Sequence, residues 1–393
     1  MKITKAYSEV KKRLLLVVIM SILIFLLFQL KNYPAFVEHY YSQAIFPFIR
    51  AGLLLLFSQM PFSIGDIFYL SLALFIAVSL IRIIRKGFFQ KKSQDAIQIL
   101  LKLVLTLQVS IVVFYLFWGL NYFRTDAFER LDLTESDYSS AELIEVGTML
   151  IDSVNNSRMK VSKEDLAQSN DSIFKSSSLA IQNFGASKPV AKPSLSGPVL
   201  SYLSTAGYYN PFTGEAQVNM LMPIYLRPFV ACHEMAHQSG YGAENEANFV
   251  GFIAGISSND RLLKYSSYYL ATQEFMTAIW ATDSMAFKTL KSRISPNVLS
   301  DLKSENEYWK SYRGAISKLS SIFYDKYLKA NNQPDGLRTY NKMIRLSMAY
   351  YKKKGLIKAP VNLSPQGFFA CLCSGIILCN HIGHLPCGKL ALF

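Results

Sequence analysis

Charge is what this 393-residue sequence has least of: Asp, Glu, Lys and Arg together make up 17%, against about 25% in an ordinary soluble domain. Hydrophobic residues reach 51% and mean hydropathy is +0.20. That balance excludes a plain soluble globule and makes the lipid bilayer the first expected partner. Cysteine is scarce as well. Cys232 stands alone in the body of the chain, while Cys371, Cys373, Cys379 and Cys387 crowd the last stretch, which excludes a disulfide framework for the main domain. There is no glycine-rich phosphate loop and no internal repeat, so neither a nucleotide-binding P-loop nor a solenoid is expected. The formal net charge of +14 comes from dispersed basic residues, several of them beside hydrophobic segments, so no nucleic-acid partner is expected.

Three hydrophobic segments fit transmembrane helices near 14–30, 67–84 and 103–120. The first follows Lys11, Lys12 and Arg13 with no small-x-small cleavage site after it, which favours an uncleaved helix over a signal peptide. The second ends in Arg82, Arg85 and Lys86. The third ends in Phe117-Trp118 and Tyr122-Phe123-Arg124, aromatics that suit an interface belt. Ala44 to Gln59 is apolar but interrupted by Pro47 and Arg50, and reads as an interfacial or re-entrant helix on the outer face. Basic residues concentrate at the N-terminus and in the 85–95 loop, so the positive-inside rule puts the N-terminus in the cytoplasm and everything after residue 124 outside. The expected location is the cell membrane, multi-pass, the inner membrane if the cell is Gram-negative.

Residues 125–358 read as a mainly helical domain. Ser139-Ser140 precede one apolar-periodic run, and Ser162-x-x-Asp165 is a capping pattern ahead of a second. Between Ser187 and Gly214 the composition turns to Pro, Gly, Ser and Tyr, which predicts loops around one or two short strands, the best being Glu215 to Met220. Helical spacing returns over 245–256, 262–280, 284–293, 300–328 with a break near Gly314, and 337–353. The tail, 359–393, has cysteine spacings that match no zinc module.

The chemistry concentrates in PFVACHEMAHQSGYGAENEANF. Residues four apart share one face of a helix, so His233 and His237 can direct both imidazoles at one zinc ion, with Glu234 beside them as general base on the water the zinc holds. A chain of this length meets HExxH by chance on the order of one time in a hundred, so context must support it. Phe229, Cys232 and Ala236 give the helix an apolar stripe, Cys232 being a small buried residue facing away from the metal. Gly240 and Gly242 supply a turn that ends the helix. A second helix then opens with Glu244-Asn245-Glu246-Ala247-Asn248, offering Glu244, or alternatively Glu246, as the third ligand. A metzincin does not fit, because Ala243 stands where its third His belongs. Upstream, GYYNPFTGEAQVNM is similar to the edge strand that pairs with extended peptides in zincins, and Tyr208 or Tyr209 is placed to contact substrate or the transition state. Tyr340 or Arg345, beyond the Pro334-Asp335-Gly336 turn, could also reach the cleft.

The run ENEAN resembles the E-x-x-A-D run of membrane-embedded zinc peptidases of the prenyl-protein-processing and heat-shock-peptidase type. That resemblance implies Glu244 as ligand and Asn248 in the supporting position of the family's Asp. Taken together, PFSIGD at 61–66, FWGLNYFR at 117–124, GYYNPFTGEAQVN, HEMAHQSGYGAENEANF and YLKANNQPDG resemble a bacterial membrane-protein family carrying domain of unknown function 3810. The resemblance covers roughly residues 10–352. It implies three membrane passes and a zincin-like α+β metallopeptidase domain with a small strand region, mainly α, gluzincin-like in its ligands, acting on a peptide or protein substrate. A catalytically silent sensor or assembly factor using the same cleft for binding is the competing expectation. A transporter is disfavoured because the three segments hold few polar residues, chiefly Lys102 and Gln108.

Overall fold

The computed structural model describes residues 2–184, 188–334, 336 and 341–357. The N-terminal third is built from α1 (Lys2–Gln29), α2 (Pro34–Phe36), a π-helical stretch (Val37–Ile45) running into α3 (Phe46–Phe57), α4 (Ile64–Ile84) and α5 (Ser93–Phe117). Among the described residues four helices, rather than the three expected, are long and apolar enough to cross a membrane: Tyr7–Asn32, Pro34–Phe57, Ile64–Phe89 and Ser93–Phe117. The addition is Pro34–Phe57. Pro47 sits in the first turn of α3, just past the wider π turns, where a missing N–H costs little and does not break the rod.

Hydrogen bonds fix how α1, α4 and α5 lie. Arg13 donates to the Gln98 carbonyl and Gln108 to the Val17 carbonyl, so α1 and α5 run parallel. The Lys86–Asp95 pair closes the α4–α5 loop and makes α4 antiparallel to α5. One end of the three helices therefore carries Arg13, Arg85, Lys86, Lys91 and Lys92. At the other end the chain meets the second part of the molecule.

That second part holds α6 (Ala127–Arg130), α7 (Ser140–Lys160), α8 (Asn170–Gln182), α9 (Gly197–Tyr202), α10 (Arg227–Gln238), α11 (Glu244–Ser257), α12 (Arg261–Thr282), α13 (Ser284–Lys291), α14 (Pro296–Tyr312), α15 (Ala315–Ala330) and α16 (Asn341–Lys353). Ser139 and Glu142 form the capping box that starts α7. The Ser162/Asp165 pattern behaves differently: it closes a single 3-10 turn over Asp165–Ala167, and α8 begins later under a Ser169 cap. The 300–328 run breaks at Arg313-Gly314, as the expected break near Gly314 has it, into α14 and α15, and α14 starts earlier, at Pro296. The core gathers Leu150, Ile151, Ile173, Phe252, Leu262 and Phe275, all fully buried, from α7, α8, α11 and α12. Each apolar side chain of this size contributes about 1.5–3 kcal/mol when buried.

Three short strands, β1 (Ala191–Pro193), β2 (Gly207–Asn210) and β3 (Glu215–Val218), form one sheet in the order β1-β3-β2. β1 is parallel to β3, while β2 is antiparallel to it and lies at the edge, with Gly207 opposite Val218 and Asn210 opposite Glu215. β3 ends two residues before the expected Met220; just past it the Asn219 N–H still donates to the Ala206 carbonyl, and its side-chain amide donates to Ser201 Oγ and the Thr205 carbonyl.

A buried polar junction ties this sheet to α4. The Glu215 carboxylate accepts from the backbone N–H of Gly65 at 2.6 Å and of Ile64 at 3.3 Å, filling the donors that a helix N-terminus leaves open. Lys192 balances Glu215 at 2.9 Å and also donates to the Phe57 carbonyl. Asp66 accepts from Tyr208 Oη and from the Leu195 N–H, both at 2.7 Å. The motif PFSIGD is thus the socket in which the sheet sits. The Cys-rich tail, residues 359–393, and Tyr340 lie outside the described residues.

Candidate metal centre

His233 and His237 stand one turn apart on α10, and α11 returns over them after a tight turn. The turn depends on glycine. Gly240 adopts φ +89°, a left-handed conformation that costs other residues energy. At Gly242 a Cβ would lie 2.7 Å from the Asn121 backbone oxygen. Gly242→Ala is therefore expected to lower the thermal midpoint of the purified protein, with a loss of about 1–3 kcal/mol, since backbone cannot move aside as a side chain can. An unchanged midpoint would show that the 121–122 segment yields.

The turn brings Glu244, the first residue of α11, against both histidines. His233 Nε2 lies 3.1 Å from His237 Nε2, Glu244 Oε2 lies 3.3 Å from His233 Nε2, and Glu244 Oε1 lies 3.5 Å from His237 Nε2. Ligand atoms around a tetrahedral zinc, each roughly 2.0–2.1 Å from it, stand about 3.3 Å apart, so the three separations fit that ion. The donor set of two imidazoles and a carboxylate fits its chemistry as well. His237 Nδ1 is 2.8 Å from the Tyr241 carbonyl, a bond that keeps a proton on Nδ1 and directs Nε2 at the cluster, where a metal ion would take the place of the Nε2 proton.

Glu234, His233 and His237 offer ligand atoms within 4.8 Å of one another, so Glu234 is a second carboxylate near the same point. Electrostatics separate the two carboxylates. Burial pushes Glu234 up to about 7, with the histidines pulling against the rise and Glu244 adding to it. Glu244 feels the same burial, but the adjacent imidazoles outweigh it and hold this carboxyl well below the usual range. For His237, burial works to lower the pKa, and the Glu244 carboxylate reverses this and lifts it to about 9. The deprotonated Glu244 is the better ligand, and Glu234 the better proton acceptor near neutral pH.

Glu246 goes elsewhere. Its carboxylate pairs with the Arg130 guanidinium, both side chains buried, and Arg130 also lies over the Tyr241 ring. Asn248 is buried one turn along α11, and among the described residues no hydrogen bond joins it to the cluster. Cys232 is fully buried, its Sγ toward the Ser177 carbonyl and away from the histidines.

β2 crosses directly above α10. A Cβ at Gly207 would stand 2.8 Å from Val230 Cγ1 and 3.0 Å from Glu234 Cγ, so only glycine lets the strand come this close. Among the described residues no hydrogen bond joins either of the tyrosines that follow to the cluster. Tyr208 alternates to the opposite face and donates to Asp66, and the Tyr209 ring packs against Trp118. Arg345 pairs with Glu135 at the surface, away from the cluster.

Several residues at the cluster went unread in the sequence. Tyr324 on α15 donates to Glu244 Oε1 at 2.8 Å, and Gln333 Oε1 accepts from the Glu244 N–H at 3.2 Å. Trp118 Nε1 donates to the His237 carbonyl at 2.7 Å, and Arg124 donates to the Gly240 carbonyl while gripping Glu38 with two 2.7 Å bonds. The aromatic run 117–124, expected as an interface belt, is instead a buried clamp on the end of the HExxH helix: Trp118 and Phe123 are 3% and 1% exposed. The only local signal was the density of Trp, Asn, Tyr and Arg in FWGLNYFR and of polar residues in YLKANNQPDG.

No curated protein and no solved structure matches the chain. Residues 41–348, which include the junction, the clamp, β2, α10, α11 and Gln333, match the family described as "Protein of unknown function (DUF3810)", and the chain belongs to that family.

Proposed function

We propose that the protein is a membrane-anchored zinc metallopeptidase whose ligands are His233, His237 and Glu244. The observation that carries this reading is the convergence of two imidazole Nε2 atoms and one carboxylate at tetrahedral spacing, with Glu234 beside them and an edge strand overhead. Zinc held there would supply Lewis acidity, lowering the pKa of a water and polarising a peptide carbonyl. Glu234 would accept one proton from the attacking water as its oxygen bonds to the carbonyl carbon. It then delivers that proton to the amide nitrogen as the C–N bond breaks. The second proton of the water, carried on the new carboxylic acid, passes to the released amine, so the products are a carboxylate and an ammonium. An extended peptide lying antiparallel to β2 would present its backbone above Glu234, a pairing that binds main chain with little regard to side chains.

Three of the four apolar helices cross the bilayer in this reading. α1 ends and α4 begins at the same end of the three-helix group, the end that holds the sheet junction and the clamp, so Pro34–Phe57 starts and finishes on one side. Glu38 near its start and Phe57 at its end both bond to the catalytic part of the chain, through Arg124 and Lys192. The basic cluster at the far end gives a cytoplasmic N-terminus and an outward-facing domain by the positive-inside rule.

Two measurements test the reading. Hydrolysis of a quenched-peptide library by the full chain in detergent is expected to require zinc and to stop with a chelator and return on zinc addition. Chelator-insensitive cleavage would contradict it. Tyr324→Phe removes the hydroxyl that orients Glu244, and zinc affinity is expected to fall about 10-fold or more, as for other partners of metal ligands; unchanged affinity in a competition titration would make Tyr324 incidental.

A further inference from the structure

α15 presents two opposite faces. Ser317, Ser321 and Leu328 are buried and Tyr324 points inward to Glu244. The other side carries Ile316, Leu319, Ile322 and Phe323, which are 50–63% exposed. These four fall within less than half a turn of the helical wheel at 100° per residue, Lys326 follows in the same sector one turn on, as a lysine that can reach up to headgroups, and Lys318, Asp325 and Lys329 flank them on the polar side. Four large apolar side chains left uncovered in one stripe mark an interaction surface rather than scattered exposure.

The position of α15 says what covers it. At its C-terminal end the Tyr327 ring meets Phe114, one turn inside the end of α5, and Asn331 accepts from Tyr115 Oη at 2.7 Å. Toward its N-terminal end Ser320 donates to the Leu203 carbonyl just past α9, and the chain leading into α9 is tied to the first turn of α4 through the Leu195 N–H and Asp66. The C-terminal end is thus anchored where α5 finishes, and the N-terminal half is linked by way of α9 to the segment bonded at the start of α4. A helix strung between those two points lies along the boundary plane. Leu195 and Val199, 55% and 50% exposed, continue the apolar stripe toward α4.

We infer that α15 is an interfacial membrane helix, seated with Ile316, Leu319, Ile322 and Phe323 in the acyl boundary of the leaflet on the domain's side. The occupant of the stripe is lipid, because α15 is bonded to the end of the apolar helix α5 and has the amphipathic pattern of helices that lie in the interface plane. The residue that touches the metal ligand, Tyr324, is on the opposite face of the same helix. Its wall of the cleft is therefore held at the membrane surface. The inference stands on α15 and its anchors and does not depend on the cluster being catalytic.

The test is a cysteine scan of the full chain in lipid nanodiscs, with Cys371, Cys373, Cys379 and Cys387 replaced by serine and the fully buried Cys232 left in place. Single cysteines at 316, 319 and 323, and at the control positions 318 and 325, carry an environment-sensitive fluorophore. Spin-labelled phospholipid is expected to quench the first three several-fold more than the controls, and iodide in the buffer to show the reverse order. Iodide quenching at 319 and 323 equal to that at 318 would overturn the inference, the stripe being in water. Protection of 319 and 323 from both quenchers would also overturn it, showing that a protein segment or a second copy covers the stripe. Each labelled variant's thermal midpoint is measured alongside, so that a misfolded variant is replaced by its neighbour in the scan.

Discussion

Glu234→Gln is expected to lower peptide hydrolysis by about 10³-fold while the chain keeps about one zinc. The substitution is nearly isosteric. It leaves His233, His237 and Glu244 where they are and removes only the ability to take a proton from water. Glu234 is 4% exposed, and its burial is what places its carboxyl at about 7, so no solvent group substitutes for it at that point. Hydrolysis falling with zinc retained separates this protein from a silent binder that uses the same cleft. Undiminished activity in the Gln variant would move the base elsewhere, and loss of zinc together with activity would mean that Glu234 is a ligand.

The second large effect is on stability. Removing Glu246 leaves the Arg130 guanidinium buried without its carboxylate, since the two side chains are 11% and 8% exposed. Breaking a buried pair in this way costs about 3–5 kcal/mol, and for a folded unit of this size that lowers the thermal midpoint by on the order of 10 °C. Glu246→Ala should therefore melt early yet still bind zinc at low temperature. The double variant Glu246→Leu with Arg130→Met should recover most of the loss, because it removes the stranded charge and fills the space. No recovery would mean that the pair matters by its shape and not by its charge.

What could be read from the sequence followed the range of the forces involved. The histidine spacing, the glycine turn and Glu244 lie within twelve residues, where helix geometry alone relates positions. Short-range patterns likewise placed α7 through its Ser139 cap and the α11 and α12 cores through their apolar spacing. Trp118 was misread because an aromatic with an N–H at the end of an apolar helix looks the same whether it meets lipid headgroups or, as here, the His237 carbonyl 119 positions away. Tyr324 and Gln333 approach Glu244 from 80 and 89 residues downstream, and nothing local distinguishes them from surface residues. Glu246 stands as an alternative to Glu244 in the sequence because both sit in the first turn of α11, 200° apart around the axis. The choice between them is made by Arg130, a residue that carries no motif. In the sequence Pro47 and Arg50 interrupt the apolar run before Phe57, and the π turns that admit the proline into a membrane-length helix leave no local signal.

The central claim is that three side chains of this cluster hold one zinc. The most direct measurement is zinc content per chain, by mass spectrometry of the purified full chain, for wild type, His237→Ala, Glu244→Ala and Glu246→Ala. About one zinc is expected in the wild type and in Glu246→Ala, with none above background in the other two. A metal-replete wild type without zinc, or a Glu244→Ala variant that keeps it, would contradict the claim.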